Sequence, residues 1–220
     1  MKDSLDLQDV KRMVFKINEN FIENLSYLSK LDSTIGDGDH GITISRGFKE
    51  ANNILNSSEI TNIKEIFLSV SKSLLSKMGG ASGPLFSTIF REMGNYINKE
   101  KTSITPSDFS EMLSNVLTKI IDIGKAKPGD KTMVDTLYPV VGYLKKSDEK
   151  DFKIIFKNIE RIAKESTEKT KEMIAKKGRA RYLNERSLGY QDPGATSLYL
   201  IFKSMNETIN GEDQNEKINQ

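Results

Sequence analysis

Cysteine is absent from the 220-residue chain, which excludes disulfides, zinc thiolate sites and thiol nucleophiles. That absence accords with a reducing compartment, and the cytoplasm is the expected location. Histidine occurs once, at His40, and no serine or cysteine triad can be assembled around it. No stretch approaches the roughly 20 apolar residues of a membrane span, and the opening "MKDSLDLQDVKRMVF" carries acids and no continuous apolar core. An excess of one charge is missing too. Lys and Arg number 33 against 31 Asp and Glu, a net of +2, so neither nucleic acid nor a membrane is expected as a direct partner. Linkers rich in Pro, Gly and Ser are lacking, as are internal repeats and period-two strands. One domain over residues 1–210 is expected, followed by a flexible polar tail, 211–220, without core residues.

What the chain does contain is helical periodicity. Val10, Met13, Val14, Ile17, Phe21, Leu25 and Leu28 recur at steps of three and four, which predicts one helix ending near Lys30. A second is predicted from about Ile42 to Leu55. A third has Ile63, Ile66, Phe67, Val70, Leu74 and Leu75 as its buried stripe. A fourth follows "GGASGP" and offers Leu85, Ile89, Phe90, Met93 and Ile97. At "TPSD", Thr105 caps, Pro106 takes the first helical position and Asp108 suits the positive end of a fifth, with Phe109, Met112, Leu113, Val116, Leu117 and Ile120 inward. A sixth follows "KPGD" through Met133, Leu137 and Val141, and a seventh runs from about Asp148 to Lys177. An eighth begins near "DPGATS" with Leu198, Phe202 and Met205. The expected fold is all-α, an antiparallel bundle of eight helices, each burying one stripe against its neighbours.

The stretch "DSTIGDGDHG", residues 32–41, gathers three aspartates and three glycines. It satisfies G-x-G-x-x-G, yet it follows a helix and sets Asp37 and Asp39 where phosphate would approach, which rejects a dinucleotide fingerprint. An EF-hand fails because Phe48 falls where a bidentate glutamate is required. A Walker loop fails for want of G-K-[ST]. Asp32, Asp37 and Asp39 remain as hard oxygen donors on a tight turn, suited to magnesium together with phosphate oxygens. The alternative left open is that Asp32 and Asp37 shape the turn and Asp39 caps the next helix.

Four motifs in order, "LDSTIGDGDHG", "MGGASGPLF", "GKAKPGDKTMVDTL" and "KGRARYLNERSLGYQDPGATS", resemble the ADP-binding (DhaL) subunit family of dihydroxyacetone kinases over nearly the whole chain. The resemblance implies an eight-helix antiparallel up-and-down barrel, with ADP or ATP and two magnesium ions held by the loops at one end. It implies that Asp32, Asp37 and Asp39 ligate the metals and so carry the catalysis, with no separate acid or base. His40, Gly41, Ile42 and Thr43 are implied to lie against the phosphates, with Ala81 and Ser82 as donors from a glycine-rich helix start. Gly124 and Met133 border the adenine by the same likeness, and Arg179 with Asp192, Pro193 and Gly194 supplies further nucleotide contacts. Two positions depart from the pattern: Thr43 stands where many members have asparagine, and Tyr190 where histidine is frequent.

The function implied is a phosphoryl relay. Bound nucleotide takes phosphate from a phosphohistidine donor subunit (DhaM) and passes it to dihydroxyacetone on a second subunit (DhaK). Two other readings stay open. One is the nucleotide module of an ATP-dependent kinase acting on dihydroxyacetone or, as in fatty acid kinase, another acceptor, against which chain length speaks. The other is a binding protein whose nucleotide state selects a partner, such as a transcription regulator; a homodimer is compatible with all three.

Overall fold

The computed structural model describes residues 1–211, so of the expected polar tail all but Gly211 lies outside the described residues. Nine α-helices are present among them: α1 Leu7–Glu23, α2 Leu25–Ile35, α3 His40–Ser57, α4 Ile63–Lys77, α5 Ser82–Tyr96, α6 Pro106–Gly124, α7 Met133–Lys146, α8 Phe152–Lys169 and α9 Pro193–Asn210. Two-residue strands β1 (Leu5–Asp6) and β2 (Ser103–Ile104) pair antiparallel. Helix starts are written locally. Asp6 with Asp9, Thr105 with Asp108, and Thr132 with Asp135 each form a reciprocal capping box, satisfying amides that the helix leaves unpaired.

Eight of the nine helices close a ring. In order around it come α1, α3, α4, α5, α6, α7, α8 and α9, which returns to α1, while α2 rests outside on α3 and α9. Short connections make the members from α3 through α8 antiparallel, while α2 intervenes between α1 and α3 and the long connection 170–192 joins α8 to α9. This is the expected eight-helix barrel with one added segment. Its centre is filled by rings: Phe21 meets Phe48 at 4.9 Å and Phe48 meets Phe90 at 5.6 Å. Phe109 stands edge-on to Phe152 and Phe156 at 5.9 and 5.5 Å. Burying each such ring contributes on the order of 2–3 kcal/mol. No described helix is long and apolar enough to cross a membrane.

Four local expectations are corrected. The first predicted helix is divided at Asn24, whose backbone and side-chain amides both donate to the Asn20 carbonyl, at 3.0 and 2.8 Å. The second begins at His40 rather than Ile42. Leu75 is 56% exposed while Leu74 is fully buried, since adjacent helical residues point about 100° apart. The long seventh helix stops at Lys169 instead of Lys177. There the Thr170 hydroxyl donates to the Thr167 carbonyl and accepts the Asp192 amide at 3.0 Å, drawing the chain into a 23-residue connection, 170–192, with two 3-10 turns.

Because neighbours alternate in direction, the connections 36–39, 78–81, 125–132 and 170–192 gather at one end of the barrel. That end carries the candidate site.

Candidate functional site

Asp32 sits in the last turn of α2, and Asp37 and Asp39 in the loop before α3. One carboxylate oxygen from each lies within 4.8 Å of the others. At that spacing a charge pair repels by between about 1 kcal/mol in water and about 3.5 kcal/mol at an effective dielectric of 20. Burial pushes the Asp32 carboxyl up, the Asp37 and Asp39 charges add to this, and the His40 amide opposes it. Gly36 makes the approach feasible, because a Cβ there would collide with Asp32 Oδ1 and stand 3.0 Å from its carbonyl oxygen. Asp39 takes the cap position of α3 yet makes no side-chain cap hydrogen bond. The helix-capping alternative therefore does not describe Asp39; its carboxylate faces the cluster.

Among the described residues, one cation reaches this cluster. Arg179 Nη1 stands 2.5 Å from Asp37 Oδ2, and no ion pair joins Asp32 or Asp39 to any described cation. Three oxygens with one guanidinium among them remain suited to a hard divalent ion.

The next residues turn inward. His40 is 5% exposed, and its Nε2 bonds Ser197 Oγ of α9 at 2.7 Å. Burial lowers its pKa to about 4, with the Pro193 backbone and Asp37 working the other way. A neutral ring therefore clasps α3 to α9, and its Nε2 is not directed at the carboxylates. Gly41 lets α3 cross α2, since a Cβ there would collide with the Leu25 carbonyl and lie 2.6 Å from Ser29 Oγ. The buried Thr43 hydroxyl donates to the His40 carbonyl at 3.2 Å, and Ile42 is exposed.

The other loops supply the remaining walls. Gly79 and Gly80 have no atom within 4 Å of an added Cβ, and Gly80 takes a φ of +65°, which favours glycine. Exposed Ala81 and half-buried Ser82 follow, and Ala81 leaves the first amides of α5 without a side-chain cap, as an anion-receiving helix start requires. Gly124 ends α6 against Leu85. Met133 opens α7, and its Cε lies 3.8 Å from a Cβ added at Gly194, so these two implied nucleotide neighbours do adjoin. Asp192 caps α9 through Ala195 at 2.7 Å. Its carboxyl retains some exposed surface, yet crowding by protein pushes it up to about 7, helped by the Asp135 charge and opposed by the Ala195 amide and Lys131.

Comparison with known proteins bears on this geometry. A family model for the DAK2 domain matches residues 34–207, a span that includes Asp37, Asp39, Arg179 and Asp192 and begins two residues after Asp32. The chain belongs to the DAK2 domain family. Its DhaL-type character rests on relatives of similar length. The PTS-dependent dihydroxyacetone kinase ADP-binding subunit DhaL of Lactococcus lactis is 42% identical, covering 88% of this chain and 93% of the relative. The PEP-dependent dihydroxyacetone kinase ADP-binding subunit DhaL of Escherichia coli is 36% identical, covering 92% and 97%. Among solved structures, the dihydroxyacetone kinase of C. freundii in complex with AMP-PNP and Mg2+ superposes with a TM-score of 0.72 at 25% identity, covering 94% of this chain and 35% of that one.

Residues that sequence reasoning missed also line the candidate site of this DAK2 domain. Ser197 holds His40, Asp135 accepts the amides of Gly129 and Thr132 at 2.5 and 2.8 Å, and Lys131 is 1% exposed. Lys131 and Asp135 lie inside a quoted motif, but nothing in local spacing marks a lysine as buried.

Proposed function

We propose that this chain is the ADP-binding subunit of a dihydroxyacetone kinase. ADP or ATP, held with two magnesium ions, relays a phosphoryl group from a phosphohistidine on the donor subunit DhaM to dihydroxyacetone held by DhaK. The observation that carries this is the convergence of Asp32, Asp37 and Asp39 oxygens within 4.8 Å, with Asp39 not spent as a cap. The donor set fits the metal: three carboxylates supply hard oxygens and no thiolate or imidazole competes. The Lactococcus and Escherichia relatives, named as ADP-binding subunits of PTS- and PEP-dependent dihydroxyacetone kinases, support the nucleotide and the donor system.

Magnesium at this cluster would neutralise charge on the transferring phosphoryl group. The chain's own residues bind and orient. Asp32, Asp37 and Asp39 hold the metal and with it the phosphates, the open glycines at 79–80 admit the nucleotide beside the amides at the start of α5, and Arg179 adds a guanidinium at the same edge. Gly124 and Met133 would border the adenine, with Gly194 beside Met133 among the further nucleotide contacts. With donor and acceptor on partner subunits, catalysis here is positioning.

Denaturing the purified protein and identifying the released nucleotide by chromatography, with magnesium quantified in the same sample, tests the reading. Asp37→Ala should keep the helical circular dichroism and lose magnesium-dependent ADP retention on gel filtration; a variant that still carries ADP through the column contradicts it. Supplying DhaK, DhaM and the phosphoenolpyruvate-dependent phosphotransferase proteins should restore dihydroxyacetone phosphate formation.

A further inference from the structure

The connection between α8 and α9 returns on both legs to one buried ammonium. Lys131, in the turn before α7, has a left-handed φ of 59° and is 1% exposed. Its Nζ donates to the carbonyls of Met173 at 3.1 Å, Ser187 at 2.5 Å and Tyr190 at 2.6 Å. All three ammonium N–H groups are thereby used. One acceptor precedes Arg179 in the chain and two follow it, so a single side chain ties the two legs together.

Other bonds brace the same stem. The Lys176 amide donates to the Asp130 carbonyl at 3.1 Å and the Gly189 amide to the Lys171 carbonyl at 2.8 Å. Ser187 Oγ accepts the Ala175 amide at 2.9 Å. Beyond the stem, Gly178 takes a φ of +61° immediately before Arg179, with no atom within 4 Å of an added Cβ, a backbone conformation that favours glycine. The tip that carries Arg179 thus starts at a glycine turn while its base is tied. An apolar side chain would fill the position of Lys131 without the desolvation of a charge, which points to a role beyond filling space.

We propose that Lys131 is a positioning residue of the phosphoryl-transfer site, gathering both legs of the 173–190 loop so that Arg179 stands at Asp37 and bound nucleotide is retained. The role rests on the nucleotide reading above. Lys131 acts through Arg179 and touches neither metal ligand nor phosphate itself.

The test uses the full chain, magnesium and a fluorescent ADP analogue, with Lys131→Met, Arg179→Ala and the double variant. Lys131→Met fills the same space without donors. It should release the analogue about tenfold faster, as expected for losing hydrogen bonds from a charged group, and trypsin should cut after Arg179 and Arg181 about tenfold faster in the nucleotide-free protein. The decisive readout is coupling: in the Arg179→Ala background, adding Lys131→Met should change release by less than twofold. A merely structural lysine would lower the melting temperature and speed release equally in both backgrounds, which overturns the proposal. Should Lys131→Met not fold, Lys131→Gln, which keeps two amide donors, replaces it with the same coupling expected. A wild-type chain that binds no analogue refutes the nucleotide reading. One that binds it while the Lys131 variant releases it at the wild-type rate refutes only the part given to Lys131.

Discussion

Replacing Gly36 with alanine perturbs the carboxylate cluster without changing a charge. The new Cβ would collide with Asp32 Oδ1, 2.9 Å from its Cγ, and the carboxylate is the movable partner. Swinging away, it loses the His40 amide that it accepts at 3.2 Å. A hydrogen bond to a charged group is worth about 1.5–3 kcal/mol, and this long one belongs at the low end. Leaving its two neighbours relieves about 1 kcal/mol or more of repulsion. The two effects nearly offset, so stability should change by about 1 kcal/mol or less, under about 4 °C in melting temperature for a chain of this size. Metal binding has no such compensation, since one of three ligands is withdrawn. Loss of outer partners alone costs about 10–100-fold at metal sites, so magnesium-dependent ADP affinity should fall by about 100-fold. Calorimetric titration of ADP with and without magnesium, beside a melting curve, reads both quantities. A variant with wild-type affinity, or one that fails to fold, would refute the assignment of Gly36 as the residue that admits Asp32 to the cluster.

Two further predictions concern pH. The Asp192 carboxyl is raised from 3.8 to about 7, so the folded chain holds its proton more tightly than the unfolded one. Its contribution to stability is full below about pH 4 and is lost as pH rises through 7. The whole shift would be worth about 4 kcal/mol, and partial solvent access brings the expected effect to about 1–2 kcal/mol. Asp192→Asn, which keeps a capping oxygen, should therefore be more stable than wild type at pH 8 and gain little at pH 5 in urea unfolding; equal gains at both would refute the cause. His40 is displaced the opposite way, from 6.5 to about 4. Its contribution is full above 6.5 and is lost as pH falls towards 4. Imidazole NMR should show a neutral ring at pH 5.5 in the folded protein, and a midpoint near 6.5 would mean that the ring is not buried against Ser197.

How far the chain can be read without coordinates depends on the range of the interaction. The start of α6 was legible because Thr105, Pro106 and Asp108 act on amides within three residues of themselves. The aspartate cluster was legible for the same reason: Asp32, Asp37 and Asp39 are close along the chain, and intervening glycines allow a tight turn. The division of the first helix was not. Asn20 and Asn24 are polar residues within a periodic stripe, and Asn20 is held by Ser204 and Glu207, partners at the far end of the chain. Likewise α8 ends early because Thr170 serves Asp192 across the loop, while its own helical pattern runs on.

By itself the amino-acid sequence determined that the chain would be all-helical, since its apolar residues recur at helical spacing and each stripe must be buried against another, and it determined where the oxygen donors would cluster. Tertiary structure alone decided that His40 would turn inward as a neutral clasp, that Arg179 would meet Asp37, and that Lys131 would be withdrawn from water to hold the loop between them. Those outcomes depend on contacts between residues far apart in the chain, whose energies are settled only once the barrel has closed and the solvent has been excluded.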